Sequence, residues 1–267
     1  MMIDTGSDVS WVQCKPCTAP SCHASAVSLF DPVQSSTYVP FSCSSAPCTQ
    51  LRRKGNGCSS SQCQYIVRYG DRSTTTGTYG SDTLALTPSE TVNDFQFGCS
   101  HDEEGLVSQQ NTDGLMGLGG DVQSLVSQTA ATYGNAFSYC LPKTSSTSGF
   151  LTLGAPSDTS GFVTTPMLRS EKVPTFYALL LQDIRVGGNL LGISPSVFAA
   201  GLRPSIPSTR ASTSQGKTTS PYLVSHLFDG GAIVNLGFDG IIQNGCLAFA
   251  ATSDISIIGN VQQRTRV

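Results

Sequence analysis

The sequence has little charge of either sign and no long apolar run. Only 12% of its 267 residues are Asp, Glu, Lys or Arg, and 15 basic against 18 acidic residues give a formal net charge of −3. A balance this close to neutral gives no support for a nucleic-acid or membrane-surface partner. Crossing a bilayer takes about 18 consecutive apolar residues, and no run approaches that length. We therefore expect no nucleic acid and no membrane among the partners.

The sequence also lacks a secretory leader, although its cysteine content is typical of secreted proteins. It opens on Met1-Met2-Ile3-Asp4, without the basic, apolar and small-residue regions of a signal peptide. Ten cysteines nevertheless indicate a disulfide framework formed in an oxidising compartment. We expect a protein of the secretory pathway whose first residues are missing from this sequence.

Short segments separated by Gly, Pro, Ser and Asn favour a mainly β fold. These segments are 65–69, 83–86, 95–97, 150–153 and 177–186. One helix is expected to begin at Asp121 as its N-cap and to end at Gly134, with Val122, Leu125, Val126 and Ala130 on one face. Residues 203–221 are mostly Ser, Thr and Pro without an acidic residue, and this composition predicts a disordered segment inside a β domain.

The first candidate for chemistry is Asp4-Thr5-Gly6-Ser7, which follows two apolar residues. The pattern predicts a strand that ends in a tight turn. Gly6 permits the turn, and the hydroxyls of Thr5 and Ser7 can orient the carboxylate of Asp4. On its own, the triplet is more often an ordinary Asx-type turn than an active site.

Further motifs follow Asp4 in a fixed order. They are Trp11 within DVSWV, Tyr69-Gly70-Asp71 at the start of a hairpin tip, and Leu115-Met116-Gly117 within DGLMGLG. In this order and spacing the chain resembles the N-terminal lobe of a pepsin-like aspartic protease. The cysteine-rich stretch between Cys14 and Cys63 resembles the plant nepenthesin-like branch of that family. The resemblance covers residues 1 to about 201 and about 222 to 267.

The resemblance implies a mainly β, bilobal pepsin-like fold, with an N-terminal lobe at 1–160 and a partial C-terminal lobe at 161–267. Asp4 would be the catalytic aspartate of the first lobe, supported by Thr5, Gly6 and Ser7, with the Ser7 hydroxyl hydrogen-bonded to it. Tyr69 and Gly70 would lie on the flap over an extended peptide, with Trp11 as the hydrogen-bonding partner of Tyr69. The loop Leu115-Met116-Gly117 would pack under the Asp4 turn.

The sequence departs from the family pattern in two respects. The flap tip has Arg72 where relatives usually have glycine, a residue suited to positive φ. More importantly, the family carries a second Asp-[Ser/Thr]-Gly loop early in the C-terminal lobe, and the sequence has no such triplet after residue 6. Residues 190–200 resemble the segment before that loop, and 257–260 resemble the loop that supports it. Asp229 and Asp239 are each followed by glycine without a hydroxyl residue, so we do not expect either to be the partner.

The family pattern also implies a set of disulfides. The implied pairs are Cys14–Cys17, Cys22–Cys99, Cys43–Cys63 and Cys48–Cys58. Cys140 and Cys246 would be unpaired, because their usual partners would lie in parts of the family fold that this sequence lacks.

Two other readings of the cysteines are weaker. Cys14-Lys15-Pro16-Cys17 superficially resembles a thioredoxin-type redox motif, but the residues that follow do not start the helix that such chemistry needs. Cys14, Cys17, Cys22 and His23 are possible zinc ligands, although structural zinc sites usually have two close pairs. We expect disulfides, no metal and no cofactor.

The resemblance therefore implies an acid endopeptidase acting on extended polypeptides, monomeric, and extracellular or vacuolar. Because the second aspartate is absent, we expect this chain to be inactive or nearly so. An alternative is a non-catalytic pepsin-like protein that binds peptides or inhibits another enzyme. Another is a half-site that dimerises to bring two Asp4 residues together; its activity would rise with the square of concentration.

Overall fold

We describe a computed structural model of the chain. The described residues are 1–17, 29–105, 112–142, 148–171, 173–194, 196, 206–207, 224–236, 242–243, 246–247, 257–258 and 263. The chain forms two compact units, one of Met1–Ile3 with Ser7–Ala131 and one of Asp4–Gly6 with Thr132–Val267. The expected lobes 1–160 and 161–267 stay predictions.

The first unit is built on one eight-stranded sheet. In the sheet the order is β1-β8-β2-β7-β6-β5-β4, and the short β3 pairs with β6. Strand β2 runs parallel to β7 and antiparallel to β8. The strands are β1 (Met2–Asp4), β2 (Trp11–Gln13), β3 (Val39–Pro40), β4 (Gly55–Ser59), β5 (Gln62–Arg68), β6 (Thr74–Thr87), β7 (Glu90–Glu104) and β8 (Gly114–Gly117).

Alternation along β5 shows why this sheet buries one face. Cys63, Tyr65 and Val67 are buried in the core cluster, whereas their neighbours along the strand are less buried. The Tyr65 ring lies so close to Gly98 that a Cβ there would be 2.2 Å from it. A glycine is therefore required on β7 for these two strands to be packed as they are. The same core contains Val9, Trp11, Leu51, Tyr79 and Leu115.

The expected helix forms, but its start was placed wrongly. Helix α2 (Leu125–Gln128) has Ser124 as its N-cap, whose hydroxyl accepts a hydrogen bond from the Ser127 amide at 3.2 Å. It is followed by α3 (Ala130–Tyr133). Val122, expected on the apolar face, is 57% exposed. Gly134 has a φ of +76°, as expected of a residue that stops a helix.

The disulfide pairs implied by the family pattern were also wrong for the described cysteines. The structure pairs Cys14 with Cys99, Cys43 with Cys58 and Cys48 with Cys63. Cys17 is disulfide-bonded as well, whereas Cys22 lies outside the described residues.

Packing explains this pairing. Helix α1 (Ala46–Gln50) directs Cys48 towards the core, where Cys63 is fully buried. Cys58, which is exposed, then forms its disulfide with Cys43, whose burial is intermediate. Cys14 directly follows β2, which runs beside Cys99 on β7 and brings the two Cα atoms to 5.3 Å. A bond from Cys14 to Cys17 is thereby excluded. Cys140 is a free cysteine, as expected.

The second unit has several small sheets. Its largest has the order β14-β13-β16-β17 and packs Leu181, Phe228 and Ala232 into a small core. The expected strand at 177–186 is divided into β12 and β13. The strands are β9 (Phe137–Cys140), β10 (Phe150–Leu153), β11 (Met167–Leu168), β12 (Ala178–Leu179), β13 (Leu181–Val186), β14 (Asn189–Leu190), β15 (Ile206–Pro207), β16 (Val224–Phe228), β17 (Ile233–Leu236), β18 (Ile242–Gln243), β19 (Cys246–Leu247) and β20 (Ile257–Ile258).

Most of the Ser/Thr/Pro-rich stretch at 203–221 lies outside the described residues, so its expected disorder stays a prediction. Its described part, Ile206–Pro207, pairs in parallel with Ile257–Ile258. That second strand is the described part of the loop expected to support a C-terminal catalytic aspartate. Across the part of the chain that the structure describes, no helix has the length and apolar character needed to cross a membrane.

Candidate active site

Asp4 lies at the end of β1, where the chain leaves the strand in a tight turn. Its side chain is held in place by the turn, since the Gly6 amide donates a hydrogen bond to Oδ1 at 3.0 Å. Asp4 is 3% exposed, and Thr5 and Ser7 are also buried. This is the Asx-type geometry that the sequence predicts, with a carboxylate that is almost enclosed. The hydrogen bond expected between Ser7 and Asp4 stays a prediction.

A glycine-rich loop supports the residues that follow the turn. The Gly117 amide donates to the Ser10 hydroxyl at 3.0 Å, and the Gly119 amide donates to the Ser7 carbonyl at 2.8 Å. A Cβ on Gly117 would lie 2.2 Å from the carbonyl oxygen of Asp8, so this close approach requires glycine. Strand β8 and the glycines that follow it therefore pack against residues 7–10. The expected packing of Leu115-Met116-Gly117 under the Asp4 turn stays a prediction.

The expected bond between Trp11 and Tyr69 is confirmed. The indole Nε1 of Trp11 donates to the hydroxyl of Tyr69 at 2.7 Å, and both side chains are buried. Tyr69 also begins the turn that joins β5 to β6: its amide donates to the Ser73 carbonyl at 2.9 Å. Gly70 is open to solvent, because a Cβ added to it would have no other atom within 4 Å. The hairpin tip is thus anchored at its base and exposed at its end.

Sequence reasoning missed a buried ion network centred on Lys54. The Lys54 ammonium donates to Asp8 at 2.7 Å, to Asp121 at 3.1 Å and to the Gln123 side-chain carbonyl at 2.9 Å. Asp8 is 1% exposed, and its other oxygen accepts from the Asp121 amide at 2.9 Å. The partners of Lys54 are 46 to 69 residues away in sequence, so no local spacing indicates them.

A second buried carboxyl, Glu103, was also missed. The pKa of Glu103 is raised to about 7, chiefly by burial and also by the negative charges of Asp102 and Asp113, which together outweigh the lowering effect of hydrogen bonds from Gln13 and Ser100. The amide of Gln13 reaches its carboxyl at 2.9 Å. The group lies where β7 ends, and no regular alternation of apolar residues in that strand marks it in the sequence.

None of the described residues supplies a second carboxylate in an Asp-[Ser/Thr]-Gly turn. Asp229 is exposed in the turn between β16 and β17, where its Oδ1 accepts the Gly230 amide at 3.0 Å. Asp239 lies outside the described residues. Asp183 is buried in the second unit, but its oxygens accept the backbone amides of residues 184, 192 and 193. Those three bonds give Asp183 a structural role.

Metal ligands are not clustered either. Among the residues that the structure describes, no group of three His, Cys, Asp or Glu side chains is placed to hold a metal ion.

Comparison with known proteins identifies the family. A family model described as the N-terminal part of xylanase inhibitors matches residues 1–155. Nepenthesin-2, an aspartic proteinase of Nepenthes gracilis, is 32% identical over 98% of this chain and 69% of its own length. The chain belongs to the pepsin-like aspartic protease family, in its plant nepenthesin-like branch. Nepenthesin-1 of the same plant is 40% identical over 74% of this chain and 44% of its own length.

Superposition on solved structures supports the pepsin-like fold of this chain. Basic 7S globulin from soybean superimposes with a TM-score of 0.69 at 18% identity, covering 98% of this chain and 81% of the globulin. At that identity the match supports the fold alone.

The alignment of this chain with one relative contains internal gaps. An aspartyl protease family protein of Arabidopsis thaliana is 36% identical over 99% of this chain, and the chain spans 65% of that protein's length. The aligned region has 311 positions, more than the 267 residues of this chain. The relative therefore contains stretches inside the aligned region that have no counterpart here.

Proposed function

We propose that this chain is a pepsin-like peptide-binding protein of the aspartic endopeptidase class, with Asp4 as its catalytic carboxylate. The observation that carries the proposal is the enclosed Asp4 turn, fixed through Gly6 and followed by Ser7–Ser10, which β8 supports. The anchored hairpin at Tyr69 supports a role as the flap over an extended peptide. The partner is a polypeptide in an extended conformation, and the protein acts as a monomer.

The reaction of this class needs two carboxylates around one water. The ionised carboxylate takes a proton from the water, and the protonated one donates to the oxygen of the scissile carbonyl. Two like charges at about 3 Å cannot both ionise, so the pKa values of the pair separate; aspartic proteases are the type case of this behaviour. With Asp4 alone, one group cannot fill both roles. We therefore propose that the chain binds peptides and hydrolyses them extremely slowly or not at all.

The disulfide-bonded first unit supports a location in the secretory pathway, extracellular or vacuolar, where such bonds persist.

Peptide binding is the direct test of this function. A fluorescein-labelled eight-residue peptide rich in Leu and Phe is titrated with the protein at pH 4, and the fluorescence anisotropy is measured. We expect saturable binding that Tyr69→Ala weakens by about tenfold, because the flap loses its anchor on Trp11. Tyr133→Ala, which changes a half-buried tyrosine at the end of α3 away from the hairpin in sequence, is the control and should bind as the parent does. Absence of saturable binding to any such peptide would overturn the proposal.

A second candidate is inhibition of another enzyme. The family model that matches residues 1–155 is described as the N-terminal part of xylanase inhibitors, and a pepsin-like chain with one aspartate fits a non-catalytic role. A xylanase assay with increasing amounts of this protein distinguishes the two. Inhibition that is unchanged by Asp4→Ala would favour this candidate over a peptide-binding one.

A further inference from the structure

The tip of the hairpin between β5 and β6 has an unusual backbone at Arg72. Arg72 has a φ of +70°, in the left-handed region that favours glycine. The turn is closed around it, because the Arg72 amide donates to the Tyr69 carbonyl at 3.0 Å and the Ser73 amide donates to the Asp71 carboxylate at 3.0 Å. An arginine is thus held in an unfavourable conformation at an exposed tip.

The charge at this tip is free to act on a ligand. Arg72 is exposed, and among the described residues no carboxylate lies within ion-pairing distance of it. The nearest acid in sequence, Asp71, turns its Oδ1 back to accept both the amide and the hydroxyl of Ser73. Arg68 is exposed at the end of β5, and the cross-strand pairs place Thr74 and then Glu104 beside it. Arg72 is therefore an exposed positive charge at the tip, next to the Asp71 carboxylate.

We infer that Arg72 is a specificity-determining residue that selects peptides with an acidic side chain under the hairpin tip. The inference rests on the proposed peptide-binding function of the hairpin. The guanidinium presents up to five N–H donors to a carboxylate and remains charged at every working pH. The anchored bond from Trp11 to Tyr69 fixes the base of the hairpin, so the tip presents this charge at a defined position along a bound peptide.

The test is a matched set of labelled peptides. Eight-residue peptides of Leu, Phe and Gly carry Glu, Gln or Lys at each position in turn, and their dissociation constants are measured by fluorescence anisotropy at pH 6 in 20 mM salt. At one position we expect Glu to bind about threefold more tightly than Gln, as for one exposed ion pair, and Lys to bind more weakly than Gln. The preference should disappear in 500 mM salt through screening and at pH 3, where the peptide Glu is protonated.

Variants assign the preference to one side chain. Arg72→Gly relieves the backbone conformation, so it should fold, and the ratio of the dissociation constants for the Gln and Glu peptides at the selective position should fall to about one. Arg72→Lys keeps the charge and should keep the preference. Arg68→Gln is the matched control at a neighbouring exposed arginine and should also keep it.

The outcomes separate this inference from the proposed function. Saturable peptide binding with equal affinity for Glu and Gln at every position overturns the inference and leaves the proposed function standing. A preference that survives in Arg72→Gly, or that disappears in Arg68→Gln, also overturns it. No binding of any peptide overturns both.

Discussion

Lys54 stabilises the first unit by forming an ion pair with Asp8, whose side chain is fully buried. Asp8 directly follows the Asp4 turn and is fully buried, and Lys54, Asp121 and Gln123 gather around it. A buried charge deprived of its partner is strongly unfavourable. Lys54 therefore connects the cysteine-rich stretch, where it ends a short 3-10 turn of Arg52–Lys54, to Asp8 and to the loop before α2.

Lys54→Met is expected to lower the free energy of unfolding by about 2 kcal/mol, because the charge of Asp8 remains buried without its partner while Lys54 itself is partly exposed. Urea denaturation at pH 7 measures the change. Lys15→Met is the control, since the Lys15–Asp31 pair is exposed and should contribute less than about 0.5 kcal/mol. Adding Asp8→Asn to Lys54→Met should recover part of the loss. Equal effects of the two single variants would contradict this role of Lys54.

Glu103 makes the stability of the first unit depend on pH. Its pKa is raised from an ordinary value of 4.5 to about 7, so the folded state holds the proton where the unfolded state has lost it. Its stabilising contribution is complete below about pH 4.5 and is lost as the pH rises to about 7. The decrease should be on the order of 2 kcal/mol.

Urea midpoints from pH 4 to pH 8 test this dependence. Glu103→Gln should flatten the decrease between pH 4.5 and 7, because the amide cannot ionise. Glu104→Gln, at the exposed neighbour, should leave the profile as it is. A profile that is the same in the parent and in Glu103→Gln would show that Glu103 does not titrate as described.

At the scale of elements, the cysteine-rich stretch is fixed by two disulfides of the same span. Cys43–Cys58 and Cys48–Cys63 each join residues 15 apart. Closing a loop of this length in the unfolded chain is worth about 3 kcal/mol. The two bonds hold α1 and the turn before β4 against the sheet, and Lys54 lies in that turn.

Removal of one cysteine identifies its partner. In Cys48→Ala the partner thiol becomes free, and iodoacetamide labelling in denaturant without reductant, followed by tandem mass spectrometry, locates it. We expect the new label at Cys63, beside the label at Cys140 that the parent also carries. The free energy of unfolding of the variant should be about 3 kcal/mol lower than that of the parent. A new label at Cys58 would instead show that Cys48 is bonded to Cys58, as the family pattern implies.

The hairpin tip gives a stability prediction as well. Arg72→Gly replaces a side chain at positive φ, where residues other than glycine are disfavoured by about 1 kcal/mol or more, although glycine loses more entropy on folding. We therefore expect the free energy of unfolding of Arg72→Gly to equal that of the parent or to exceed it by up to about 1 kcal/mol, as measured by thermal unfolding. Arg68→Gly, inside β5, should be destabilising by about 0.5–1 kcal/mol. A clear loss of stability in Arg72→Gly would contradict the conformation described for the tip.

Sequence reasoning succeeded where a pattern is local and failed where contacts are distant. A strand was predicted at 65–69, within β5 and the residue after it, because a short β-type segment there is bounded by turn-forming residues, and the pair Trp11 and Tyr69 followed from family motifs. The helix start was misplaced because Asp121 resembles an N-cap locally, whereas its carboxylate accepts a hydrogen bond from Lys54, 67 residues away. The disulfide pairs depend on which face of α1 is buried. The charge on Glu103 depends on burial at the end of β7, which alternation alone does not measure.

At the scale of the whole molecule, the sequence contains one Asp-[Ser/Thr]-Gly triplet, at Asp4. The chain has the Asp4 turn and a hairpin anchored by the bond from Trp11 to Tyr69, whereas no second Asp-[Ser/Thr]-Gly triplet occurs in the sequence. A relative of the same family aligns over more positions than this chain contains. The proposed consequence is retention of peptide binding with loss of hydrolysis.

The most direct test of that consequence is a cleavage assay. The protein is incubated with denatured haemoglobin between pH 2.5 and pH 5, with and without pepstatin, and new fragments are counted by mass spectrometry over a tenfold range of protein concentration. The account predicts no fragments above those seen with Asp4→Ala at any concentration. Fragments that pepstatin suppresses and Asp4→Ala abolishes would contradict it, and a yield rising with the square of concentration would assign them to a dimer of two Asp4 turns.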